Sequence, residues 1–76
     1  MKLYLVNRID SRGTLPVKCF MLKENAKFFI GECNIALKLI SQSDNPEKEF
    51  DLLKQFDTNV IFCDSIKYVL EEIFAT

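Results

Sequence analysis

Cys63, followed by Asp64 and Ser65, is the nearest this chain comes to a nucleophile. A thiol at a turn from strand into helix N-terminus has its pKa lowered. Here the adjacent Asp64 carboxylate repels a thiolate, and the chain has no His to serve as base. Cys19 and Cys33 stand alone in apolar stretches, where free thiols act as small hydrophobes. An odd, widely spaced set of three cysteines does not make the disulfide framework of a small secreted domain. It points to a reducing, cytoplasmic setting.

The acidic residues offer no better chemistry. Glu71 and Glu72 are adjacent, so on a helix they diverge and form no acid–base couple. Asp44, Glu47, Glu49 and Asp51 surround Pro46 and read as the solvated start of a helix, their charges matched to its dipole. Without His, a C-x-x-C pair or loop-ligand spacing, no metal site is expected. The two glycines, Gly13 and Gly31, are too far apart for a phosphate cradle. The reading is therefore of a protein that is not an enzyme, with no catalytic residue, no metal and no cofactor.

Hydropathy periods locate the elements that would hold these residues. Residues 2–9 alternate as a strand, with Leu3, Leu5 and Ile9 on one face and Tyr4, Val6 and Arg8 on the other. Asp10 to Thr14 forms a turn around Gly13, and residues 15–22 return as a second strand. From Glu24 to Ile40 the period becomes 3.6, with Ala26, Phe29, Ile30, Cys33, Leu37 and Ile40 on one arc. Lys27–Ile30 also reads as a short strand, but the helical pattern continues across Gly31. Asp44 or Asn45 caps a second helix running to Phe56, with Pro46 at its first position. Residues 60–63 read as a buried third strand, and Asp64-Ser65 as the cap of a last helix with an Ile66, Val69, Leu70 and Ile73 stripe.

The expected fold is thus one α+β domain over residues 1–76, in the order ββααβα, with helices on one face of a three-stranded mixed sheet. Its core would join Leu3, Leu5, Val17 and Cys19 to Phe29, Ile30, Cys33 and Leu37. Phe50, Leu53, Phe62, Val69, Leu70 and Ile73 would complete it. The third strand is placed beside the first. No apolar run reaches the ~18 residues of a membrane span, so no membrane partner is expected.

Two features bear on partners. Residues 1–38 carry seven bases and three acids, and residues 39–76 carry three bases and eight acids. Such asymmetry steers encounter with a charged macromolecule or with a second copy. The long helix also has a second apolar stripe, Phe28, Ile35 and Leu39, which is either covered by another helix of the chain or exposed to a partner. The expected function is a small non-enzymatic binding protein that modulates or inhibits a macromolecular partner by protein–protein contact. In size and lack of motifs the chain is similar in style to accessory proteins of phages and mobile elements. Arg8, Arg12, Lys18, Phe28, Ile35 and Leu39 are the expected partner-binding residues, with a homodimer as a further possibility. The alternative is a nucleic-acid binder using the basic hairpin of Arg8, Arg12 and Lys18. An acidic pI near 5.3 speaks against it.

Overall fold

The computed structural model describes residues 1–63 and 65–75. A hairpin of β1 (Lys2–Asp10) and β2 (Gly13–Phe20) leads into a 19-residue helix, α1 (Lys23–Ser41). Two single turns follow, α2 (Pro46–Glu49) and α3 (Asp51–Lys54), and the chain ends in β3 (Lys67–Phe74). The sheet is antiparallel throughout, in the order β2-β1-β3. The domain is α+β with helices on one face of three strands, and the order is ββαααβ.

The hairpin closes through the two residues Ser11 and Arg12, with Asp10 opposite Gly13. Gly13 has φ +110°, a backbone setting that side-chain-bearing residues rarely adopt. The register between β1 and β2 slips at Val6/Asn7, leaving Val17 as an extra residue beside Pro16. Pro16 has no N–H to donate, and it lies on an edge strand at a bulge, where that omission is tolerated.

α1 spans about 28 Å at 1.5 Å per residue and lies along the sheet. Its buried side is Ala26, Phe29, Cys33, Ala36 and Ile40, at helical spacing. Glu24 in its first turn and Lys38 in its last complement the dipole. The Asn45 side-chain Oδ1 caps α2 by accepting from the Lys48 N–H at 3.4 Å, and Pro46 follows it. The expected second helix is thus present from Pro46 but is interrupted at Phe50.

The C-terminal segment departs from the expectation. The spacing of Ile66, Val69, Leu70 and Ile73 predicted a helix, yet residues 67–74 form β3 against the whole of β1. Both periods fit that stretch, and what decides is the partner: β1 has a free side, and a lone hairpin is only marginally stable. With β3 taking that place, residues 60–63 are not a strand; Val60 is buried there and Phe62 is 42% exposed. The third strand does lie beside the first, but it is a different segment and the sheet is not mixed. The capping expected of Asp64 falls outside the described residues.

The core also sits on the opposite face of β1 from that expected. Tyr4, Val6 and Arg8 turn toward the helices, joined by Phe20 of β2 and by Tyr68 and Leu70 of β3. Leu3, Leu5, Val69 and Ile73 are on the reverse face, partly exposed, and Cys19 is exposed. Both faces of β1 are apolar, so alternation alone does not choose between them; the buried ionic anchor at Arg8 described below fixes the choice. Phe29, Cys33, Phe50 and Leu53 are buried as expected. No described helix is long and apolar enough to cross a membrane.

Candidate interaction surface

Phe28, Ile35 and Leu39 recur on α1 at steps of seven and four residues, within a 40° arc at 100° per residue. They are 69%, 56% and 53% exposed. Among the described residues, no other helix covers this stripe; α2 and α3 are single turns of four residues. Ile35 and Leu39 form one wall of a shallow groove, and Leu52 and Phe56 form the other. Met21 and Leu22, just before the helix, are exposed as well. Contiguous exposed apolar surface of this kind is uncommon on a monomer unless it meets something.

The basic residues of the hairpin are placed differently from one another. Arg8 is 2% exposed. Its Nη1 donates to Asp57 Oδ2, and its Nε donates to Asp10 Oδ2 at 3.0 Å. Burial disfavours the charged guanidinium, and the hydrogen bonds and charges of Asp57 and Asp10 together more than offset it, so the Arg8 pKa is raised. Arg8 is an interior residue of this fold and cannot reach a partner's surface. Arg12 lies at the tip, where its Nη2 and its backbone N–H both donate to Asp10 at 2.8 Å. Lys18 rests its ammonium 5.4 Å from the Phe20 ring centre and 5.7 Å from that of Phe29. Of the six expected contact residues, the α1 trio is accessible together and the basic trio is not one surface.

Asp57 is a residue whose importance the sequence concealed. It is buried, and its Oδ2 accepts from both the Arg8 guanidinium and the Tyr68 hydroxyl. Tyr68 stands directly across from Arg8 in the β1–β3 ladder. Burial, with the hydrogen bond to Asp57, pushes the Tyr68 phenol pKa well up. Among the described residues no buried side-chain polar atom lacks a partner, which is the pattern of a structural anchor. Only a spatial neighbour distinguishes such an Asp from a turn former, so Asp57 before Thr58-Asn59 reads as a turn in sequence.

Part of the charge asymmetry is paired within the fold. Glu72 from the acidic half meets Lys2 at 3.0 Å and Lys23 at 3.4 Å at the surface, and Asp57 meets Arg8 in the interior.

Cys63 lines an open cleft of about 650 Å³ beside the hairpin end, with Ile9, Asp10 and Phe62. Its thiol donates to the Ser65 carbonyl at 3.4 Å. The next described element is the strand β3, from Lys67, where a helix was expected. Among the described residues no three His, Cys, Asp or Glu side chains are grouped to hold a metal ion. Comparison with protein-family models, with curated proteins and with solved structures gave no match.

Proposed function

We propose that this chain is a non-catalytic binding protein that modulates a protein partner through the outer stripe of α1. The observation that carries the reading is the joint exposure of Phe28, Ile35 and Leu39 beside the Leu52/Phe56 groove. A partner helix or loop that inserts an apolar side chain into that groove would take these residues out of water. Each large apolar side chain fully buried in this way contributes roughly 1.5–3 kcal/mol. Whether the result is inhibition or another form of modulation depends on which surface of the partner is covered.

The nucleic-acid alternative has less support, since Arg8 is interior and Arg12 is held by Asp10. The test uses Leu39→Asp and Phe28→Asp, exposed positions at which the core is untouched. Wild-type protein should capture a specific partner from source-cell extract, and the purified pair should bind by calorimetry. Either variant should keep its circular dichroism spectrum and lose that binding. Full binding by both folded variants would refute the stripe as the contact. A salt-sensitive affinity for oligonucleotides, abolished by Arg12→Glu with Lys18→Glu, would replace this reading with the alternative.

A further inference from the structure

Among the described residues, no layer lies upon the reverse face of the sheet. The described helices pack on the side of Val6 and Tyr68, and the Cα framework is a slab of 46 × 24 × 15 Å. The uncovered face carries Leu3, Leu5 and Ile9 from β1, Cys19 from β2, and Val69 and Ile73 from β3. A sheet face of this composition is normally buried against a second layer.

We infer that this face is self-complementary and packs against the same face of a second copy of this chain. Charge fixes the occupant and the register. The strand residues of the face include two charged side chains, Lys67 and Glu71, both on β3 and four residues apart. Val69 lies midway, opposite Asn7 of β1. A two-fold axis between the sheets, crossing the strands at the level of Asn7 and Val69, lays β3 antiparallel on β3. Lys67 of each copy then faces Glu71 of the other, and Leu5 of each meets Ile9 of the other. Centring the crossing on Leu5 would oppose two carboxylates, and centring it on Ile9 would oppose two ammonium groups. The Asn7 amide donates to Glu71 Oε1 at 3.2 Å, which aims the carboxylate and leaves Oε2 for the partner.

The area is adequate for a weak dimer. Three strands of about eight residues cover roughly 26 by 14 Å, so two faces remove on the order of 700 Å² from water. That is below the roughly 1,200 Å² of stable specific interfaces, and it sets the expectation of weak, concentration-dependent association with sheets about 10 Å apart. This surface is separate from the α1 stripe, and it stands or falls independently of the proposed function.

The experiment is sedimentation velocity over a wide concentration range on wild type, Lys67→Glu, Glu71→Lys and a mixture of the two variants. Wild type should pass from monomer to dimer. Each variant alone should remain monomeric with an unchanged circular dichroism spectrum, and the mixture should recover the dimer, since it restores both charge pairs. In wild type, alkylation of Cys19 should slow as the dimer forms. A wild type that stays monomeric at every concentration would overturn the inference, whatever else covers the face. So would a dimer broken by Leu39→Asp but indifferent to both charge variants, or a mixture no better than its components.

Discussion

The hydroxyl of Tyr68 donates to Oδ2 of Asp57 across 2.9 Å, and this bond ties the last strand to the loop that leaves α3. Arg8, on the neighbouring strand, binds the same oxygen. Three segments far apart in sequence are fastened at one buried carboxylate. Removing its charge should therefore cost much more than removing one of its donors. Asp57→Ala leaves the buried guanidinium with Asp10 as its remaining carboxylate, a loss of about 3 kcal/mol. Tyr68→Phe removes a single hydrogen bond, about 1 kcal/mol. Urea unfolding followed by circular dichroism should give that order, and equal losses would contradict the anchor.

Alkaline pH should unfold the protein earlier than its composition implies. Burial pushes the Cys33 thiol from 9.0 up to about 12, and the Tyr68 phenol is raised as well. In both, the folded state holds a proton that the unfolded chain releases. Stability is then complete below pH 9 and falls as pH rises through the raised values. Cys33→Ala, with its smaller side chain, should lower the overall midpoint but flatten this decline. A stability profile level from pH 8 to pH 11 would disprove it.

Acid acts on the hairpin tip. Hydrogen bonds from the Arg12 side chain and backbone, then from Arg8, hold the Asp10 carboxyl down at about 2. A depressed folded pKa means stability present above the unfolded value near 3.8 and lost as pH falls through about 2. Asp10→Asn should remove that part of the acid dependence and loosen the turn. Carboxyl titration by NMR provides the check, and an Asp10 pKa at or above 3.8 would rule it out.

The two glycines should respond with opposite sign. Gly31 lies within α1 and a Cβ there meets nothing within 4 Å, so Gly31→Ala should stabilise by about 0.5–1 kcal/mol. Gly13 has equal space but φ +110°, so Gly13→Ala should cost about 1–3 kcal/mol of strain. Thermal melts of the two variants that shift in the same direction would count against this.

Much of the first half of the fold was legible from local signals. Gly13 between two alternating runs specified the hairpin, and the unbroken 3.6 period from Ala26 to Ile40 specified α1 despite Gly31. The Phe28, Ile35 and Leu39 stripe was legible too, as a pattern; its exposure was not, because coverage depends on where α2 and α3 pack. Arg8 illustrates the reverse case. Its type and position beside a turn implied a surface cation, and only the approach of Asp57, 49 residues later, turns it into a core residue.

By itself, then, the sequence determined those features that depend on neighbours within about four residues: turn, helix period and the Asn45 N-cap. Tertiary structure alone decided which face of β1 is the core, and that residues 67–74 pair with β1 as a strand. The physical reason is that both faces of β1 and both periods of the C-terminal segment are apolar enough to be buried. Long-range hydrogen bonding and the buried Arg8–Asp57 ion pair, neither encoded in local pattern, broke those ties.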